Sequence, residues 1–381
     1  MSNPMIKMTI NSLILGYFSS TLAHAEIDVI SKDQFKNQYL SPLSFQFGGQ
    51  LRPQWIHNMG DEPGYYRDGH DGLSRLRFTT NYELSEQTKL LGYYELGINV
   101  PKILDMDGHY KEGAKRTVRR LAYVGVENSQ YGTLTYGQQY GLYYAVIGLK
   151  SDVWDNDGHA GATAIGVNGH YDGANRAKNS LMYTNTFGKY KLYVNYLFPE
   201  RAIDVDSEHD YRRKHGEGIG LDYNLNKKTT LSLAYSSTNA KMRDSLGNKK
   251  NYHQNILGSA ITFTPHNWYL VGTASYYNDF VPATENRHIN HYFVGDGYGL
   301  EGFAGYTFKL DKPFLKSIQP FIAADRLNLN ASDHDYHANH QYVGLSTNLG
   351  HGVKVIAEHT FAQTTDDAEK DSTWLTFFIS F

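Results

Sequence analysis

Arginines at positions 75, 77, 120 and 176, with Arg52 as a further candidate, are the side chains of this 381-residue chain best placed to act on a charged solute. Each lies in or beside a segment where apolar and polar residues alternate. Guanidinium groups stay charged at every working pH, and several on one wet surface repel one another unless carboxylates or water face them. Three such carboxylates, Asp152, Asp155 and Asp157, fall together in the longest polar connection, residues 140–175. Opposed sets of this kind orient water and polar molecules between them; they do not make or break bonds. Trp154, in the same connection, offers either an aromatic face for stacking on a sugar ring or an anchor that packs the connection onto its surroundings.

Other chemistries find little support. Cysteine is absent, which removes lipoprotein acylation and a disulfide framework. Neither a Gly-x-Ser-x-Gly element nor a His-Glu-x-x-His helix occurs, so an enzyme is not expected. His334, His337 and His340 with Asp333 and Asp335 are metal-ligand types. Their segment reads as a solvated polar loop, and neither a metal nor a cofactor is expected. A formal charge of −3 argues against a nucleic-acid partner.

The elements that must carry these residues are strands. Leu76, Phe78, Thr80 and Tyr82 alternate with Arg75, Arg77, Thr79 and Asn81; Leu231, Leu233 and Tyr235 alternate with Ser232, Ala234 and Ser236. A two-residue period puts one set on each face of a sheet. Sixteen such segments are expected, at 44–57, 73–84, 88–100, 117–127, 131–139, 176–186, 189–198, 214–225, 228–238, 251–263, 267–278, 297–308, 316–326, 340–349, 352–362 and 371–381. Short turns alternate with long polar connections between them. Eight long loops on one rim and seven short turns on the other fit an even-stranded barrel better than a soluble β-sandwich.

Lipid is the simplest cover for the apolar faces. Mean hydropathy is −0.52 and no run of eighteen apolar residues occurs, which excludes a helical membrane protein. Thirty-one Tyr, 18 Phe and 4 Trp suit aromatic girdles at a membrane boundary. The last segment places Leu375, Phe377, Ile379 and Phe381 on one face and stops on that aromatic residue. Residues 1–25 read as a signal peptide, with Lys7, an apolar stretch around Leu13–Phe18 and the small-x-small site Ala23-His24-Ala25. Residues 26–381 are then one all-β domain, a 16-stranded antiparallel transmembrane β-barrel. Loop acids such as Asp204, Asp206, Glu208, Asp366, Asp367 and Glu369 could bind divalent cations that bridge to lipopolysaccharide, and ordinary solvation of a rim accounts for them equally well.

Strand phase directs Arg75 and Arg77 to the wet interior, and Leu121 and Tyr123, taken as lipid-facing, turn Arg120 inward and Arg119 outward. Arg176 shares a phase with Ser180. If the long connection folds inside, its aspartates face these arginines across a narrowed passage.

Ser74-Arg75-Leu76-Arg77-Phe78, Arg120 to Gly125, Tyr131 to Gly137 and Arg176 with Asn179 to Tyr183 resemble the general bacterial porin family of Gram-negative outer membranes. The resemblance implies a homotrimer of barrels that passes small hydrophilic solutes and ions by passive diffusion, with an inward third loop forming a constriction. It implies that Arg75, Arg120 and Arg176 form a basic wall cluster, that Glu95 is a lumen carboxylate beside it, and that Asp152 and Asp155 stand for the acidic pair of the loop. It also implies that Phe381 is a signal to the outer-membrane barrel assembly machinery. Trp154-Asp155-Asn156-Asp157-Gly158 replaces the family's Pro-Glu-Phe-Gly-Gly, and Gln138 stands where a basic residue is common. An oligosaccharide-selective channel, with Trp154 as the stacking surface, is the alternative function.

Overall fold

Sixteen strands close into an antiparallel barrel in the computed structural model, which describes residues 26–58, 69–156, 173–282, 293–330, 335–365 and 370–381. The wall runs β1 (Leu43–Leu51 continuing as Pro53–Asn58), β2 (Arg75–Glu83), β3 (Thr88–Ile98), β4 (Thr117–Asn128), β5 (Gly132–Tyr140), β6 (Arg176–Phe187), β7 (Tyr190–Leu197) and β8 (His209–Asn226). It continues β9 (Thr229–Asp244), β10 (Lys249–Phe263), β11 (Trp268–Pro282), β12 (Phe293–Tyr306), β13 (Leu315–Asn330), β14 (Asp335–Gly350), β15 (Val353–Thr364) and β16 (Ser372–Ser380). The expected signal peptide and Asp157 lie outside the described residues.

Closure occurs where β1 pairs with β2 along one edge and with β16 along the other. Phe381 completes the seam: its N–H donates to the Gly49 carbonyl at 3.1 Å and its carbonyl accepts from the Gly49 N–H at 2.7 Å. The short strand Ile27–Ile30 continues that edge by pairing with Phe45–Phe47, an element the sequence reading did not anticipate. Full closure leaves the wall without the free edge that an open sheet would expose to lipid.

Alternation sorts the faces as expected. Ile219, Tyr235, Leu257, Tyr276 and Tyr298 are consecutive cross-strand partners, and each is exposed on the outside. Nearer the short turns a second aromatic level includes Tyr190 stacked on Tyr223 at 4.9 Å and Trp268 edge-on to Tyr306 at 5.0 Å. An amphipathic ring with a hydroxyl or indole N–H suits each boundary of an apolar band. Removing a Leu- or Ile-sized side chain from water contributes about 1.5–3 kcal/mol, so the outward band is a large part of what lipid contributes to stability.

Strands on the far side overrun the expected ranges. β8 begins at His209 rather than at 214, β9 reaches Asp244 rather than 238, and β14 begins at Asp335 rather than at 340. These extensions pair into long hairpins that keep one apolar face: Tyr211, Ala240 and Met242 pack with Tyr252 and Phe293, and Ala338 joins the cluster that holds Leu327. A further departure is the helical turn Val100–Ile103, where the strand expected at 88–100 gives way to a long polar connection, capped by the Asn99 side chain accepting from the Lys102 N–H at 3.0 Å.

Packed apolar clusters sit inside the barrel, between the wall and the connection that follows β5. One joins Leu142, Tyr143, Val146 and Ile147 to Tyr193, Ala234, Ile256 and Ala260; another joins Trp154 to Val271, Phe303, Phe321 and Tyr342. The described part of the long connection, residues 141–156, is therefore an inward loop and not an external lid.

Candidate functional site

Glu95 on β3 organises the basic wall. Its Oε1 accepts from Arg120 Nε at 2.6 Å and lies 4.0 Å from Arg75 Nη1, while its Oε2 accepts from Arg77 Nε at 3.2 Å and from the Tyr93 hydroxyl at 3.3 Å. Three guanidinium groups thus share one buried carboxylate. Their repulsion is reduced, and net positive charge remains. Arg176, entering β6, lines the same space, and its Nε has no hydrogen-bond partner among the described residues.

Arg120 faces inward for a reason other than the expected one. Tyr123 pairs with Tyr93 and stacks on it at 5.2 Å, and Leu121 pairs with Glu95, so both are interior rather than lipid-facing. The register jumps there: Leu96 opposes Arg119 while Glu95 opposes Leu121. Arg120 is the extra residue of a β-bulge, which re-aims it at Glu95. Arg119 is exposed, as expected, and donates from Nε to Gln138 Oε1 at 3.0 Å.

The loop crosses to the opposite wall. Gly141 leaves β5 with its N–H bonded to the Asn175 carbonyl, and helical turns at Tyr144–Gly148 and Leu149–Ser151 follow. Inward glycines make the seat: a Cβ at Gly258 would come 2.6 Å from Tyr143 Cε2, and one at Gly220 2.7 Å from Val146 Cγ2. Lys150 Nζ donates to Asp222 Oδ1 at 2.7 Å and to the Val146 carbonyl. Burial lowers the Lys150 pKa below the ordinary lysine value, against the opposing pull of Asp222.

Loop acids separate into two kinds. Asp152 lines the passage and accepts from the Tyr144 hydroxyl. Asp155 departs from the expected facing pair, because its carboxylate is buried and accepts from Arg52 Nη2 at 3.1 Å, from Gln54 Nε2 at 3.2 Å and from the Thr376 hydroxyl. Its position tethers the loop to the seam. Glu358 on β15, which sequence reasoning missed, accepts from the backbone N–H groups of Asp155 at 2.9 Å and Asn156 at 3.1 Å. Trp154 stacks on Phe303 at 6.0 Å and meets Tyr342 at 5.4 Å, leaving it 3 % exposed; it packs the loop onto the wall.

The passage between loop and arginine wall has a volume of about 1060 Å³, lined by five arginines and three lysines against Glu26, Glu95 and Asp152. Alternation marked the arginines in advance. Nothing local marks Lys309, Lys316 or Lys354, which enter the lining only through closure. His337 and His340 do not gather with Asp335 into a metal site: among the described residues no such group occurs, and His340 bonds Asp325 at 2.7 Å.

A closed sixteen-strand wall with an inward loop and a charged, hydrated bore is a channel architecture. A family model described as Gram-negative porin matches residues 12–367. The chain belongs to that family. It is an outer-membrane porin, similar to outer membrane protein F of Serratia marcescens at 21% identity over 341 residues, 83% of this chain and 86% of that protein. In fold, this porin matches OmpF of Salmonella typhi, solved with daunomycin, at a TM-score of 0.68 and 14% identity, covering 89% of this chain and 98% of that one. A trimer form of Vibrio cholerae OmpT matches at a TM-score of 0.60 and 12% identity, covering 89% and 99% respectively.

Proposed function

We propose that this porin passes small hydrophilic solutes by passive diffusion and favours anions over cations. One observation carries this: Arg75, Arg77, Arg120 and Arg176 line one wall of the passage with a single carboxylate among them, Glu95, which is already shared among the first three. At about 8 Å and effective dielectric constants between 20 and 80, each unit charge acts on a passing ion with roughly 0.5–2 kcal/mol. Energies of that size bias ion traffic several-fold without trapping the ion, as conduction requires. Across the bore Asp152 supplies the opposite sign, so polar solutes align as they pass and apolar solutes lose hydration without compensation.

Bilayer recording across a KCl gradient should give a reversal potential on the chloride side of zero, moving toward potassium in Arg75→Glu and Arg176→Glu. Cation preference in the wild type would overturn the proposal. Within this reading the molecule is a conduit and not a catalyst, assembles as a homotrimer, sits among lipopolysaccharide, and is inserted by machinery that reads Phe381. The trimer form of the Vibrio cholerae relative supports the first of these partners. Cross-linking in native membranes followed by electrophoresis would show three chains per complex.

A further inference from the structure

Arg52 and Lys354 share one aromatic ring. The Arg52 Cζ stands 4.5 Å from the Phe378 centroid and the Lys354 Nζ 4.3 Å from it, so two cations from β1 and β15 are held on an inward phenyl of β16. Among the described residues Arg52 pairs with Asp155, and its buried Nε has no hydrogen-bond partner there. Lys309 and Lys316, beside the short turn between β12 and β13, and His266, in the turn before β11, line the same space. None of the three lysines forms an ion pair among the described residues.

The three lysines do not belong to the arginine wall. Arg75, Arg77, Arg120 and Arg176 stand on β2, β4 and β6, whereas Lys309, Lys316 and Lys354 stand beside the short turns that precede β13 and β15, and Arg52, on β1 next to β2, lies between the two sets. Neutral polar groups of the lining include Ser317, Gln319 and Asn348, and one carboxylate of the same space, Glu26, lies against Gly48 at the seam. Hydroxyls and amides of that kind donate to oxyanions without neutralising the lysines.

We propose that Arg52, Lys309, Lys316 and Lys354 form a second anion station at the short-turn mouth of the pore, which takes small multivalent oxyanions, solutes carrying a polyphosphate or several carboxylates. The station rests on the channel reading above but not on the selectivity assigned to the arginine wall. A monovalent ion feels each lysine weakly through water. Several charges on one small solute multiply the same attraction, so the station discriminates by valence. A solute leaving the arginine wall toward the short-turn rim meets the lysines next, and one entering from that rim meets them first.

Inorganic tripolyphosphate, added to one chamber and then the other during single-channel recording in KCl, is the test. The expected result is block of the current at a lower concentration from the short-turn side. The triple variant Lys309→Gln, Lys316→Gln, Lys354→Gln should raise the half-blocking concentration from that side about tenfold or more and remove the difference between chambers. Arg75→Gln should move the KCl reversal potential and keep the difference between chambers. Citrate in place of tripolyphosphate separates a general preference for multivalent oxyanions from one for phosphate. Equal block from both sides in the wild type, or an unchanged asymmetry in a triple variant that retains heat-modifiable mobility, would overturn the station. A reversal potential on the potassium side with the asymmetry intact would overturn the anion-selective wall and leave the station standing.

Discussion

Glu95 is the residue on which the basic wall depends. Arg75, Arg77 and Arg120 lie within 4.0 Å of its carboxylate, so Glu95→Gln removes the one charge they share. Selectivity should move further toward chloride in a KCl gradient, and thermal stability in detergent should fall, since charge-assisted bonds contribute roughly 1.5–3 kcal/mol each. A shift toward potassium would show that Glu95 does not govern the local field. Residue types and strand phase disclosed the arginines. Neither disclosed the bulge that turns Arg120 inward, because an extra residue in a ladder is defined by the partner strand. Asp155 was misplaced for a related reason: a loop carboxylate reads the same in sequence whether it faces water or bonds Arg52, Gln54 and Thr376 across the barrel.

The inward loop is the element whose position sets the bore. Glu358 holds its Asp155-Asn156 stretch through two backbone N–H groups, and Glu358→Ala leaves both without that acceptor, a cost of about 1–3 kcal/mol for the buried donor of Asp155. Open-channel noise should rise and conductance should increase as this stretch loosens; an unaltered current trace would assign the anchoring elsewhere. Gly258→Val has the opposite sense. Its side chain would meet Tyr143 Cε2 and Ile147 Cγ1, placed 2.6 and 3.1 Å from an added Cβ, and push the loop off the wall toward the arginines. Conductance should drop while the barrel still forms. The sequence showed a long connection with Ile147 and Trp154 able to pack. Which strands would receive it was not legible, because Tyr143, Val146 and Trp154 land on β8 to β14, up to two hundred residues downstream.

At the scale of the whole molecule, closure is the property to test. The cylinder should need detergent to stay in solution and should run faster in unheated than in heated denaturing gels, as an intact ladder of strands resists detergent at room temperature. Deleting Phe381 removes two backbone bonds to Gly49 and a ring 5.9 Å from Phe47, and should lower the fraction of heat-modifiable protein. A deletion that folds in full yield would show that Ile27–Ile30 and β16 close the seam without it.

Alternation, turn spacing and aromatic content determined by themselves that this chain is a sixteen-strand barrel with a wet interior, and they sorted Leu231, Leu233 and Tyr235 from Ser232 and Ala234 correctly. Those signals are local, since a two-residue period assigns each side chain a face before any strand finds its partner. The tertiary structure decided the rest: that Glu95 is shared by three arginines, that Asp155 is a tether while Asp152 faces the bore, and that three lysines join Arg52 near the short turns. Each of those facts is a distance across a closed cylinder. Such distances follow from register, bulge and loop landing, which no short stretch of sequence contains.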